Sequence, residues 1–197
     1  MKKRVLDLAV TLVGLPLVLP LVAVAAIGLA IELRGWPIFL QTRIGHRGHP
    51  FTLVKLRTMR HSDKTTKTDY TVEDWSSFVF GELGADNSRT TRLGALLRKS
   101  SVDELPNLWN VATGDMSLVG PRPEIPEIVR QYPQEYHRRH AVRPGITGLA
   151  QVRGRSDVAY ADIIKYDLAY VDQHSISGDV RLLLETFGVV FRGSGAR

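Results

Sequence analysis

The sequence predicts a mainly helical α+β fold, in which a re-entrant N-terminal membrane helix and a small β-hairpin accompany amphipathic surface helices around a compact core. Three observations predict it. Residues 8–31 carry no charged side chain. Residues 36–57 have the strand–turn–strand pattern of a hairpin. Several later segments place apolar residues at helical spacing. We therefore divide the 197 residues into a membrane helix, 1–33, and one globular domain, 34–197.

The apolar run is long enough to cross a membrane. Its 24 residues would form a straight helix of about 36 Å, and a hydrocarbon core is about 30 Å thick. A cleaved signal peptide is the first alternative, because Ala23-Val24-Ala25 resembles a cleavage site. The apolar run continues past that site to Ile31, which argues against cleavage.

An ordinary spanning helix is the second alternative. Pro16 and Pro20 lie four residues apart on one helical face, so both bend the helix in the same direction. Basic residues flank the run on both sides, and the positive-inside bias then favours both ends on the cytoplasmic side. A helix that enters one leaflet, bends and returns satisfies both features. On the charges and prolines alone, a re-entrant helix and a spanning helix are about equally supported.

The first half of the globular domain contains a hairpin, a long loop and a short helix. Strand-forming residues on either side of "GHRG" predict the hairpin. Residues 61–88 are polar and weakly patterned, which predicts a long loop. The segment "RTTRLGALLRKSS" then predicts a helix with Leu93, Leu96 and Leu97 on one side.

Two adjacent carboxylates, Asp103 and Glu104, stand in the segment "SVDELPNLWNV". One interpretation is helix capping, because Ser101 and Glu104 have the spacing of a capping box. The other is chemistry on an anionic substrate. Pro106 suits the first helical position, which places the two carboxylates at a helix N-terminus, where phosphate is attracted.

The second half of the domain is mostly helical. "EIPEIVRQY" is expected to be helical as far as Pro133, and "HAVRPGITGLAQVRGR" to be a glycine-rich loop. "DVAYADIIKYDLAYV" predicts an amphipathic helix. Its apolar face consists of Tyr160, Ile163, Ile164, Leu168 and Val171. "GDVRLLLETFGVVF" predicts a last helix, apolar enough for a membrane surface, although core packing is the default interpretation.

Composition limits the chemistry. The chain contains no cysteine, which excludes disulfides, thiolate zinc sites and a cysteine nucleophile. Its formal charge of +6 suits anionic partners.

Arg122 and Arg143 stand beside prolines, which restrict the backbone, and arginine binds phosphate oxygens in a bidentate manner. For either arginine alone, pairing with a structural carboxylate is the preferred interpretation, but two such arginines beside a carboxylate pair and a membrane helix favour phosphate binding. His137 and His140 have metal-ligand spacing, but a solvated basic face is the preferred interpretation of "EYHRRH".

Neighbouring helical residues point about 100° apart. Asp103 and Glu104 therefore suit two separate roles better than joint acid catalysis on one bond. One of them can hold Mg²⁺, which prefers carboxylate and phosphate oxygens, while the other attacks phosphorus.

Three long segments together resemble the bacterial sugar transferases, the monotopic phosphoglycosyl transferases. They are "QTRIGHRGHPFTLVKLRTM", "SVDELPNLWNVATGDMSLVGPRPE" and "RPGITGLAQVRGR". The resemblance runs from the apolar helix to "FRGSGA" and is closest to the small, catalytic-domain-only members. It implies transfer of a sugar 1-phosphate from a UDP-sugar to a polyprenyl phosphate, with release of UMP. It also implies a place on the cytoplasmic face of the bacterial inner membrane, in one leaflet, and allows a homodimer.

The resemblance also implies roles for individual residues. Asp103 matches a nucleophile that forms a covalent phosphosugar intermediate, and Glu104 matches an acid associated with Mg²⁺. Basic residues are expected to bind substrate phosphates. They are Arg122, Arg143, Lys55, Arg57 and Arg98.

Two residues depart from the family pattern. Leu19 stands before Pro20 where some members have serine, so the bend would depend on the prolines alone. Arg153 stands where many members have asparagine.

A non-enzymatic membrane-anchored module that binds anionic lipid or nucleic acid is the rival interpretation. Such a module would interleave basic clusters with stacking aromatics. Here aromatics are only 8% of the chain, so no nucleic-acid partner is expected.

Overall fold

The computed structural model describes residues 2–60, 71–79, 89–153 and 158–191. Helices predominate, and two small sheets lie among them, which confirms the mainly helical α+β class. In order the elements are α1 (Lys2–Leu33), β1 (Ile38–Ile44), β2 (Pro50–Leu56), α2 (Arg92–Lys99), a 3₁₀ helix (Val102–Asn107), α3 (Leu108–Thr113), β3 (Ser117–Val119), α4 (Pro126–Val129), a second 3₁₀ helix (Gln134–Ala141), β4 (Gly145–Thr147), α5 (Leu149–Arg153), α6 (Tyr160–Gln173) and α7 (Ile176–Phe191).

The N-terminal end of α1 contacts the globular domain through polar side chains. Lys3 Nζ lies 2.5 Å from Asp179 Oδ2 in α7. The buried carboxylate of Asp7 accepts hydrogen bonds from Ser117 Oγ at 2.9 Å and from the Leu118 amide at 3.1 Å. These contacts join α1 to β3 and α7.

The C-terminal end of α1 contacts the same domain by apolar packing and by a helix cap. Ala25 and Leu29 are buried in a cluster with residues of β2 and α2. The carboxylate of Glu32 accepts from the amides of Arg92 and Leu93, at 2.9 and 3.2 Å. These amides belong to the first turn of α2, so Glu32 satisfies donors that have no partner within the helix.

The middle of α1 is apolar and exposed. The helix is long and apolar enough to cross a membrane by length and composition, and Pro16 and Pro20 lie inside it. Leu12, Val13 and Leu17 are 71–80% exposed. The two ends of α1 therefore contact one domain, while an apolar surface between them remains uncovered.

The predicted hairpin is confirmed. β1 pairs with β2 in an antiparallel register that runs from Ile38↔Leu56 to Ile44↔Pro50. A 3₁₀ turn at His46–Gly48 connects the strands. Leu53 and Leu56 of β2 are buried, so one face of the hairpin packs on the core.

The segment expected to be a glycine-rich loop contains a strand and a helix instead. β4 pairs in parallel with β3, and α5 follows. A Cβ at Gly145 would lie 2.1 Å from the Gly120 amide nitrogen, so this approach requires glycine. The pairing joins the "GPRP" and "RPGITG" segments.

Other helix predictions are partly correct. α6 buries Tyr160 and Ile164 as expected. α2 buries Leu97, but Leu96 is 61% exposed, because α2 packs only one side against α1 and the 3₁₀ helix. α4 ends at Val129, earlier than predicted.

The predicted long loop is only partly described, since residues 61–70 and 80–88 lie outside the described ranges. Between them Trp75 packs against Phe78, Tyr132, Tyr136 and Tyr160, with ring centroids 5.3–5.9 Å apart. This part of the loop therefore contributes to the core.

Candidate active site

The two adjacent carboxylates lie in the first turn of a 3₁₀ helix rather than at the start of an α-helix. Ser101 has left-handed backbone angles, φ 56° and ψ 18°, and directs the chain into this helix. Its side chain makes no capping hydrogen bond, so the capping-box interpretation is wrong. A left-handed conformation is unfavourable for a residue with a Cβ and is often found at functional sites.

Glu104 is paired with Arg122. Arg122 Nη2 donates to Glu104 Oε1 at 2.5 Å, and Nη1 donates to Oε2 at 3.2 Å. This bidentate pair joins the 3₁₀ helix to the "GPRP" segment. The Arg122 charge lowers the pKa of Glu104, although burial opposes the shift. Glu104 is therefore an anion at neutral pH.

Asp103 lies in a different environment from its neighbour. It is buried, and burial, followed by the adjacent Glu104 charge, raises its pKa to about 6. Lys55, Arg122 and Arg98 oppose this shift. Asp103 is thus a desolvated carboxylate that ionises near neutral pH and faces several cations.

Three further basic residues lie near this pair or on the elements that hold it. Lys55 is on β2, with its ammonium group 5.5 Å from the Phe39 ring centroid. Burial, followed by the Arg122 charge, lowers its pKa to about 8. Arg98 lies in the last turn of α2 and donates to Met59 Sδ at 3.8 Å. The amide of Arg57 donates to Pro37 O at 2.7 Å, just after β2.

Arg143 is placed differently from Arg122. Its Nε donates to the Gly114 carbonyl at 2.8 Å, at the C-terminal end of α3. Helix C-termini leave carbonyls without partners, so this contact is structural. A role for Arg143 in substrate binding remains a prediction. Arg153, which departs from the family pattern, lies 3.1 Å from Glu185 of α7.

A cleft adjoins the Glu104–Arg122 pair, and the carboxamide of Asn107 lines it together with Arg43 and Met116. Asn107 Oδ1 is buried and has no hydrogen-bond partner among the residues that the structure describes. In a 3₁₀ helix, side chains three residues apart eclipse each other, so Glu104 and Asn107 share one face. Sequence reasoning missed Asn107, because it began the helix at Pro106, whereas the 3₁₀ helix already includes Glu104 and puts the two residues on one face.

This pair of oxygen-bearing side chains fits Mg²⁺. Within the described ranges no group of three or more His, Asp or Glu side chains could hold a metal ion. Mg²⁺, however, is usually bound by one or two carboxylates together with substrate phosphates. Glu104 would supply a carboxylate, and the Asn107 oxygen would serve the ion or one of its waters.

The interpretation of "EYHRRH" as a solvated basic face is wrong for its last two residues. Arg139 is only 2% exposed, and His140 is buried as well. Burial, and then the Arg139 charge, lowers the pKa of His140 to about 4, so His140 is neutral. The local sequence contains no signal for this, because the partners of Arg139 lie on other elements.

Comparison with known proteins gives one family. The family model described as "Bacterial sugar transferase" matches residues 1–193. A protein of Erwinia amylovora named UDP-galactose-lipid carrier transferase is 37% identical over 98% of this chain and 41% of that protein. One of Caulobacter vibrioides, named UDP-glucose:undecaprenyl-phosphate glucose-1-phosphate transferase, is 39% identical over 94% of this chain and 68% of that protein.

A third relative, from Aeromonas hydrophila, is named UDP-N-acetylgalactosamine-undecaprenyl-phosphate N-acetylgalactosaminephosphotransferase. It is 35% identical over 99% of this chain and 45% of that protein. The chain therefore spans less than half of the Erwinia and Aeromonas proteins. The three names specify three different sugars, so similarity at this level does not identify a sugar.

Proposed function

Because this chain belongs to the bacterial sugar transferase family, we propose that it transfers a sugar 1-phosphate from a UDP-sugar to a polyprenyl phosphate and releases UMP. The names of the relatives support the donor and acceptor classes. The observation that carries the proposal is the pair of adjacent carboxylates in unlike environments, one buried and facing cations, the other bound to Arg122.

The reaction proceeds in two displacements at one phosphorus. An Asp103 carboxylate oxygen attacks the phosphorus that bears the sugar, and the bond to the bridging oxygen breaks, so that UMP leaves with the electron pair. A phosphate oxygen of the polyprenyl phosphate then attacks the same phosphorus and regenerates the carboxylate. The product is a polyprenyl diphosphate sugar. This sequence lets one site serve a soluble donor and a lipid acceptor in turn.

The charges around Asp103 suit this chemistry. An anionic nucleophile and a diphosphate repel each other unless fixed cations offset their charge. Lys55, Arg98 and Arg122 supply such charge. When bound, Mg²⁺ adds further positive charge at the diphosphate, and Glu104 and Asn107 are the residues that would hold it.

We test the function with purified full-length protein and a panel of UDP-sugars, with and without polyprenyl phosphate and Mg²⁺. The expected result is UMP release from at least one donor that requires both additions. Hydrolysis of the UDP-sugar at a rate that does not depend on polyprenyl phosphate would contradict the proposal. Absence of UMP release together with strong, salt-dependent binding of nucleic acid would favour the rival binding module.

The pH dependence provides a separate test. We expect kcat/KM to fall as the pH rises through about 8, where the half-buried Lys55 loses its proton and its attraction for phosphate. Lys55→Arg keeps its charge to much higher pH, so its alkaline limb should move upward. If the alkaline limb of Lys55→Arg lies at the same pH as that of the parent, a group other than Lys55 titrates there.

We also propose that α1 enters one leaflet and returns to the cytoplasmic side. Nucleotide sugars are made in the cytoplasm, so the domain belongs there. Contacts of both Lys3 and Glu32 with this domain support the same side for both helix ends, because a bilayer would separate the ends of a spanning helix. Exposed apolar side chains outside α1 fit a membrane surface. They are Trp36, Leu40, Leu96, Trp109, Ile176, Val180, Leu184 and Phe187.

Single cysteines test this topology without background, since the chain has none. Lys2→Cys and the exposed Arg130→Cys are expected to react with a membrane-impermeant reagent from the same side of oriented vesicles. Labelling from opposite sides would establish a spanning helix instead. A cysteine buried in the core, Leu118→Cys, serves as the unreactive control.

A further inference from the structure

The segment that carries Arg122 is held by hydrogen bonds to its backbone. Four consecutive carbonyl oxygens, those of residues 121–124, each accept one bond. The donors, in order, are Gly145 N, Arg139 Nη2, Arg43 Nη1 and Ile44 N, at 2.9, 2.7, 3.0 and 2.8 Å. Two of the four donors are arginine side chains, and one of them binds the carbonyl of Arg122 itself.

Arg139 is the more deeply buried of these two arginines, and all of its described partners are polar. Its Nη2 lies 2.6 Å from Asp167 Oδ2, and Nη1 donates to Tyr132 Oη at 2.5 Å and Tyr160 Oη at 2.8 Å. A buried ion pair is often no more stabilising than apolar packing would be, so stability alone is a weak reason for it. Here Arg139 also connects its buried partners, Asp167, Tyr132 and Tyr160, to the Arg122 carbonyl.

We propose that Arg139 is a positioning residue, which holds the Arg122 backbone so that the Arg122 guanidinium meets Glu104 and the donor diphosphate in one orientation. Arg139 itself does not touch the substrate. Proline on each side restricts φ at residues 121 and 123, and Pro123 also limits ψ of Arg122 to the extended region. The hydrogen bond from Arg139 holds the Arg122 carbonyl in one direction within that region.

The decisive experiment is a double-mutant cycle in full-length protein, with UDP as the probe and its Kd measured calorimetrically in the presence of Mg²⁺. Arg139→Lys keeps a cation beside Asp167 but lacks the fork that also reaches the Arg122 carbonyl. The expected result is a UDP Kd raised by about tenfold, with the same change in donor KM and a smaller change in kcat. In the Arg122→Ala background the same substitution should change Kd by less than about twofold, because no guanidinium remains to be positioned.

Tyr160→Phe is the matched control. It removes one hydrogen bond of Arg139 within the same buried cluster and leaves the bond to Arg122 in place. It should lower the melting temperature while leaving the UDP Kd within about twofold of the parent. Equal effects of Arg139→Lys on Kd in both backgrounds, or no effect in the parent, would overturn the proposal and leave Arg139 a structural residue.

If Arg139→Lys does not fold, the neutral pair R139Q/D167N replaces it in the same cycle, because it leaves no unpaired buried carboxylate. This inference rests on the proposed role of Arg122, and the cycle separates the two. If Arg122→Ala leaves the UDP Kd unchanged, Arg122 does not bind the donor. If Arg122→Ala raises the UDP Kd but Arg139→Lys does not, Arg122 binds the donor and only the positioning role of Arg139 is wrong.

Discussion

Asp103→Asn is expected to abolish sugar-phosphate transfer, with kcat reduced by at least about a thousandfold, as for other nucleophile replacements. An amide has no anionic oxygen with which to attack phosphorus. The parent protein, mixed with donor but without acceptor, should carry sugar phosphate on the peptide that contains Asp103. The variant should carry none. Mass spectrometry of the digested protein measures both.

The variant should remain folded. Burial raises the pKa of Asp103 to about 6, so above that pH the ionised carboxylate is less favourable in the folded protein than in water. A neutral asparagine removes this penalty, and the melting temperature at neutral pH is expected to stay the same or rise. Asp115→Asn, the same change at an exposed site, is the control and should keep full activity. A label found on Glu104 instead would reverse the two roles.

Arg122→Ala is expected to raise the Kd for UDP and the donor KM by roughly tenfold to a hundredfold, the range for a lost bidentate contact with an anion. The fold should survive, because 45% of the Arg122 side chain is exposed. Titration calorimetry with UDP and thermal unfolding together test this expectation.

Arg130→Ala provides the comparison for Arg122. It also removes an exposed arginine that pairs with a glutamate, Glu127, three residues away in sequence. Its UDP affinity should equal that of the parent, since surface pairs of this kind contribute little. A lower melting temperature with unchanged UDP affinity in Arg122→Ala would mean that Arg122 only stabilises the 3₁₀ helix through Glu104.

Several parts of this protein were predictable from local sequence. The long apolar run predicted α1, because a segment of membrane length must satisfy its backbone hydrogen bonds internally, and a helix does so. Strand-forming residues around the turn-like "GHRG" predicted the hairpin, since strand and turn signals are local. The Asp103–Glu104 pair and Arg122 were recognisable because they are contiguous with long family motifs.

Other features depended on which segments meet. The Ser-x-x-Glu spacing suggested a capping box, yet Glu104 bonds to Arg122, whose guanidinium competes successfully for the carboxylate. The glycine-rich segment contains β4, because strand pairing with β3 decides its conformation. Lys3 and Asp179 form an ion pair although 176 positions separate them.

By itself the sequence determined the membrane-compatible helix, the hairpin, and the carboxylates and arginines available to the candidate site. These follow from periodicity and composition over neighbouring residues. Only the tertiary structure decided the burial of Arg139, the unlike ionisation of Asp103 and Glu104, and the Asn107 oxygen that has no partner within the described ranges. The physical reason is that desolvation and charge pairing depend on distances between segments. Local patterns in the chain do not specify those distances.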